Sequence, residues 1–253
     1  MEKLPLIAID THCHFNTGCP DDTKERVTYS AQYEDLRVLE NAANIGPMFC
    51  STFGSVLGTG HIEEENEIMY RRSREEEDLY QWVVIDPRND RTMEQADRML
   101  KQPKCVGIKL HPANHQYLVE DYADKLFSLA SKYHAAVQIH PEKTETYIVP
   151  IADRFPEVTF IMAHLAGPTW VDAIEQAKHG NVYADTSGNA SSQNLVIEYA
   201  VNRVGSERIL FGTDTYAPGF QRGRVEYAMI SQQDKENILR NNALRLFGHI
   251  INL

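Results

Sequence analysis

Short apolar or β-branched runs alternate with segments of helical spacing along the chain. The runs fall at residues 6–11, 48–53, 81–86, 105–110, 135–140, 158–164, 181–185 and 208–213, which makes eight candidate strands. Helical patterns lie between them at 93–101, 122–133, 147–155, 170–178 and 193–204, several stopped by proline or glycine. Strands this apolar are buried on both faces, as in repeated βα units, so the pattern predicts a (β/α)8 TIM barrel, regular or distorted. A doubly wound open sheet is the architectural alternative. Near the end, Ser231 stands as an N-cap ahead of Ile238, Leu239, Ala243, Leu246 and Phe247, with Gly248 as the stop, which predicts a C-terminal helix packed on the barrel.

No linker or low-complexity stretch divides the 253 residues, and one barrel domain spanning 1–253 is expected. Hydrophobic content of 42% and charged content of 24% are those of an ordinary globular chain and speak against disorder. A formal charge of −11 repels phosphate backbones and anionic lipid, so neither nucleic acid nor a membrane is expected as a partner. The acidic run from Glu63 to Asp78 reads as a solvated helix face. No apolar segment reaches the ~18 residues of a membrane span and no signal-peptide pattern opens the chain, so a cytoplasmic location is expected. Cys13, Cys19, Cys50 and Cys105 lack zinc-site spacing and are expected as reduced thiols.

In a barrel the working residues sit at the C-terminal ends of strands. Here those ends read Asp10-Thr11-His12-Cys13-His14, Lys109-Leu110-His111-Pro112, Ile139-His140-Pro141, Ala163-His164-Leu165 and Gly212-Thr213-Asp214. His12 and His14 are two apart, so on a strand both face one way and can converge on a cation. With His140 and Asp214 ending other apolar strands, they form a ligand set for one divalent ion, Zn2+ first, with Mn2+ or Fe2+ as alternatives. His164 is a fifth ligand or a catalytic group. His61, His115, His134, His179 and His249 lack such placement and read as surface or hydrogen-bonded residues.

These motifs, with Met162-Ala163-His164-Leu165-Ala166-Gly167, Leu210-Phe211-Gly212-Thr213-Asp214 and the tail Ile238-Leu239-Arg240-Asn241-Asn242-Ala243-Leu244-Arg245-Leu246-Phe247, resemble the amidohydrolase superfamily over nearly the whole chain, in particular its amidohydrolase-2 branch of metal-dependent hydrolases and decarboxylases. The resemblance implies that His12, His14, His140 and Asp214 bind metal and that His164 assists at the reacting carbonyl. Two departures stand out: the proline after Asp214 comes only at Pro218, and the opening reads His12-Cys13-His14-Phe15-Asn16-Thr17 without the proline that decarboxylases of the branch tend to carry. The first implies a different final loop and different substrate contacts, and the second makes decarboxylation the second choice.

The expected function is therefore hydrolysis of an amide, lactone or ester of a small carbonyl substrate, a carboxylic acid among the options, with Asp214 taking the proton of an activated water and His164 hydrogen-bonding the oxyanion. Lys109 and His111 are expected to face the substrate, and Arg222 or Arg224, in a glycine-rich loop, to grip a substrate carboxylate. A decarboxylase using the same ligands and a non-catalytic metal-binding barrel are the rivals. Lys109 is expected unmodified beside a single ion, and homo-oligomerisation is left open.

Overall fold

A computed structural model describes residues 6–17, 31–141 and 145–251. Eight parallel strands run in sequence order: β1 (Ala8–Phe15), β2 (Ile45–Thr52), β3 (Leu79–Val84), β4 (Cys105–Leu110), β5 (Ala136–Ile139), β6 (Thr159–Met162), β7 (Val182–Asp185) and β8 (Ile209–Leu210). The last closes on the first through Thr11 N–H to Phe211 O at 3.0 Å and Thr213 N–H to His12 O at 3.1 Å. The fold is the expected TIM barrel, and the open-sheet alternative falls. Helices alternate with the strands: α1 (Tyr33–Ala42), α2 (Phe53–Leu57), α3 (Ile62–Glu75), α4 (Asp90–Met99), α5 (Pro112–His115), α6 (Ala123–Lys132), α7 (Ile148–Arg154), α8 (Pro168–Gln176), α9 (Val196–Val204), α10 (Pro218–Glu226), α11 (Gln232–Glu236) and α12 (Asn242–Phe247). Among the described residues no helix is long and apolar enough to cross a membrane.

Several boundaries differ from expectation. β1 continues four residues past Thr11, so His12 and His14 lie inside the strand. β8 spans only two residues, and Asp214 stands on the loop beyond it. Residues 219–224, expected as a loop, form α10, which starts at Pro218 where a missing N–H costs nothing. In the tail, Ser231 makes a capping box with Asp234, and a π-helical turn, Asn237–Asn241, separates α11 from α12.

Alternation along the strands sorts the core into two layers. Outward side chains such as Val137, Phe160, Val182 and Ile209 pack beneath the helices, whereas Ile9, Phe49, Trp82, Val106, Ala136, Ile161, Tyr183 and Leu210 fill the barrel's lower interior. Phe247 of α12 plugs that end, with its ring 5.0 Å from Phe49 and 5.9 Å from Trp82, both edge-on. Such pairs add ~0.5–1.5 kcal/mol each beyond area burial.

The reduced state expected for all four cysteines is corrected at two of them. Cys13 and Cys50 face each other in register across β1 and β2, Cα to Cα 4.9 Å, and are joined as a disulfide. Their separation of 37 residues carries no motif, so only strand pairing reveals it. Cys105 is a buried free thiol whose pKa burial pushes up to about 12. Cys19 lies outside the described residues.

Candidate metal and active site

Above the apolar floor, the same inward parity that carries Ala136 and Tyr183 turns polar. On β5 the inward series runs Ala136, Gln138, His140, and on β7 Tyr183 is followed inward by Asp185. On β4 the parity changes at Gly107, where the register shifts and φ is +153°; an added Cβ would stand 2.2 Å from Ala136 O and 2.7 Å from the Trp82 ring. Glycine thus permits the bulge that turns Lys109 inward. A register shift between Asp10 and Cys13 does the same service for His12 on β1.

His12, Lys109, Gln138 and Asp185 form one fully buried polar layer. Lys109 Nζ donates to Gln138 Oε1 at 2.9 Å and lies 2.7 Å from His12 Nε2. Gln138 Nε2 donates to Asp185 Oδ2 at 3.1 Å and to Thr11 O at 3.1 Å. His12 Nδ1 is 2.9 Å from Asp185 Oδ2 and 2.8 Å from Ser187 Oγ. Burial lowers the Lys109 pKa to about 8, offset in part by Asp185 and Asp214. Burial also lowers His12 to about 3, with the Lys109 charge adding to the effect. Burial works against an ionised Asp185, yet the neighbouring His12 and the Ser187 hydrogen bond hold its carboxyl below the usual range.

The rim above holds His14, His111, His140, His164 and Asp214. His12 Nε2 and His14 Nε2 are 3.2 Å apart, and Asp214 Oδ1 lies 3.3 Å from the second and 3.6 Å from the first. Donors ~2.0–2.2 Å from a tetrahedral ion stand ~3.3–3.6 Å from one another, so these three atoms are spaced as ligands of one small cation. Donor atoms of His12, His164 and Asp214 also lie within 4.8 Å of one another. His14 is fixed from behind, its Nδ1 2.9 Å from Ser51 Oγ. Burial opposes ionisation of Asp214, but the His14 hydrogen bond and nearby rings keep its pKa low.

His140 sits at the same rim but belongs to an imidazole stack: its ring is 4.1 Å from His111 and 5.0 Å from His164. Burial, then His164 and Lys109, lower its pKa to about 4. His164 and Asp214 both adopt left-handed backbone, φ +62° and +54°, which non-glycine residues pay for. Gly188, φ +75°, faces them both: an added Cβ would meet His164 Nδ1 at 2.8 Å and Asp214 Oδ2 at 3.0 Å. The cavity enclosed by this rim and by Phe53, Val56 and Leu57 measures ≈ 60 Å³. A larger cavity, ≈ 630 Å³, opens at the opposite end of the barrel around Cys105, Ala136 and Thr159, and it shares no lining residue with the histidine rim.

Arg222 is a correction. Its guanidinium donates to Leu6 O, Ala43 O and Asn44 O and pairs with Glu226, so it reaches the N-terminal ends of β1 and β2, away from the rim. Helix geometry explains this, because α10 turns successive side chains by ~100° and Arg222 faces down the barrel. Arg224 is engaged with Thr186 O and Ser191 beneath the loop after β7. Sequence reasoning missed Gln138, Asp185 and Ser187; the alternation from Ala136 and Tyr183 was the available signal for the first two.

The sequence matches the Amidohydrolase family model over residues 9–249. A search of curated protein sequences finds no match. Similar solved structures include a dihydroxybenzoic acid decarboxylase from Polaromonas sp. JS666 with bound manganese and 2-nitroresorcinol, at 16% identity and TM-score 0.70 over 95% of this chain and 96% of that one. Another is a 5-carboxyvanillate decarboxylase from Sphingomonas paucimobilis, at 15% identity and TM-score 0.68 over 87% and 84%. A third, from Pseudomonas putida, is provisionally named a 2-pyrone-4,6-dicarboxylic acid hydrolase, at 17% identity and TM-score 0.70 over 98% and 100%. At these identities the likeness is one of fold.

Proposed function

Since the chain belongs to the amidohydrolase family, we propose that it is a metal-dependent hydrolase that cleaves an amide, lactone or ester bond of a small carbonyl substrate, a carboxylic acid among the candidates. The supporting observation is the placement of Asp214. Its Oδ1 faces both His12 Nε2 and His14 Nε2, which leaves Oδ2 to accept a proton. His12, His14 and Asp214 would hold one divalent ion, Zn2+ by donor chemistry with Mn2+ or Fe2+ as alternatives, and His140 would complete the set. Bound there, such an ion lowers the pKa of water towards ~7 and polarises a carbonyl.

The chain's own groups carry the remaining work. Asp214 Oδ2 takes the proton of the attacking water and passes it to the leaving group. His164 is oriented through Nδ1, 3.1 Å from Ser187 O, which can only accept. The ring hydrogen therefore sits on Nδ1, which leaves Nε2 to exchange a proton at the reacting carbonyl. Lys109 and His111 line the cavity and present a donor-rich wall to an anionic substrate. At ≈ 60 Å³ the cavity is far below the ~300–1,000 Å³ of common ligand pockets, which favours a small substrate.

The test is a panel of small amides, esters, lactones and hydroxybenzoates given to metal-loaded protein, with hydrolysis followed by acid release and decarboxylation by CO2. Hydrolysis without CO2 supports the proposal. CO2 release from a hydroxybenzoate would instead establish the second reading, non-oxidative decarboxylation, which the decarboxylases among the similar structures favour. His164→Asn is expected to keep the metal and lower turnover by about 10²-fold, whereas parallel loss of both would make His164 a ligand.

A further inference from the structure

Asp185 is fully buried at the end of β7, yet it contacts groups from three other parts of the barrel. Its two oxygens have different company. Oδ1 accepts three hydrogen bonds, from Ser187 Oγ at 2.5 Å, Ser187 N–H at 3.1 Å and His164 N–H at 3.1 Å. Oδ2 accepts from Gln138 Nε2 at 3.1 Å and lies 2.9 Å from His12 Nδ1. A carboxylate surrounded by donors can only accept, so the hydrogen on the His12 ring belongs on Nδ1. That leaves Nε2, the atom facing His14 and Asp214, without a ring hydrogen. Lys109 Nζ, 2.7 Å from the same Nε2, also meets it as a donor.

We propose that Asp185 is a positioning residue that sets the ring tautomer of His12, so that Nε2 is presented unprotonated to a divalent cation. The proposal rests on the metal-centre reading of His12, His14 and Asp214 and adds the group that makes His12 competent as a ligand. Ser187 serves the same end from beside it: its hydroxyl hydrogen goes to Asp185 Oδ1, and its oxygen is then free to accept from His12 Nδ1 at 2.8 Å and His164 Nδ1 at 3.0 Å. A carboxylate behind a metal-binding imidazole fixes orientation and raises basicity, and its loss typically weakens metal binding about 10–100-fold.

Asp185→Asn separates charge and tautomer from bulk. The amide oxygen takes the Oδ1 position, where three donors converge, which turns its NH2 towards His12 Nδ1 and towards the Gln138 NH2, so the Gln138 amide must turn aside. That donor pushes the His12 hydrogen onto Nε2, and the Lys109 amine, 2.7 Å away, must then turn its lone pair or its position to suit. The experiment uses the full chain, stripped of metal and 15N-labelled at histidine, and reads the His12 ring nitrogens by NMR; zinc affinity is then measured by competition with a chromophoric chelator. Wild type is expected to show His12 protonated at Nδ1, and Asp185→Asn to show it at Nε2 with zinc affinity about 10–100-fold weaker and an unchanged circular dichroism spectrum. Identical tautomer and zinc affinity in the two proteins would overturn the proposal. So would a wild-type His12 protonated at Nε2, an outcome that needs no variant to fold. Wild-type protein that binds no zinc would refute the metal-centre reading itself, a result distinguishable from unchanged binding in the variant.

Discussion

Replacing Gly188 by alanine probes the junction of the two strained site residues without removing a functional group. The new Cβ would lie 2.8 Å from His164 Nδ1 and 3.0 Å from Asp214 Oδ2, where contact normally begins near ~3.5 Å, so these groups must give by about 0.5–0.7 Å. A side chain at φ +75° adds about 1–2 kcal/mol of backbone cost. For a chain of this size that corresponds to a fall in Tm of about 2–8 °C. Ligand and catalytic groups tolerate about 0.5 Å of misplacement, and ~1 Å costs about 10²-fold. Gly188→Ala should therefore bind zinc about 10-fold more weakly and lose about 10–10²-fold in turnover while remaining folded. Chelator competition and thermal melts decide it. Zinc affinity within twofold of wild type, with Tm unchanged, would refute the reasoning.

Arg222→Met should lower stability by about 2–4 kcal/mol, read by urea denaturation, because three backbone carbonyls lose a charged donor, while zinc affinity stays as in wild type. Weakened zinc binding would return Arg222 to the site. Asp10 and Glu40 are fully buried against one another and Thr213; burial pushes Asp10 up to about 7 and Glu40 upward as well. Both folded pKa values lie above the unfolded ones, so this pair's contribution is complete below about pH 4 and fades as pH rises through about 7. Glu40→Gln, which still donates to Asp10, should gain stability relative to wild type across that window in metal-free urea titrations; a difference constant with pH contradicts this. A crystal structure of metal-loaded protein should show an unmodified Lys109 amine and one ion. A carbamate on Lys109 bridging two ions ~3.5–4 Å apart would overturn the single-ion reading.

The strands were legible because each is an apolar run bounded by polar ends, and the His12–His14 pair because a two-residue spacing fixes a common face on any strand. Asp185 and Gln138 were harder, since a polar residue inside an apolar run reads as an interruption until its parity with Tyr183 or Ala136 is followed. Arg222 misled because closeness in sequence to Asp214 says nothing of direction once Pro218 starts a helix. Glu40 and the Cys13–Cys50 bond depend on which elements pack side by side, and no local pattern carries that.

Elemental analysis of the purified, dialysed protein tests the central claim most directly, with wild type measured beside His12→Ala and Asp214→Ala. The account predicts close to one equivalent of a divalent first-row metal in wild type and loss of most of it in both variants, because Asp214 Oδ1 and the Nε2 atoms of His12 and His14 converge on one point. Stoichiometric metal retained in both variants, or a wild-type protein that takes up none when zinc is supplied, would contradict it.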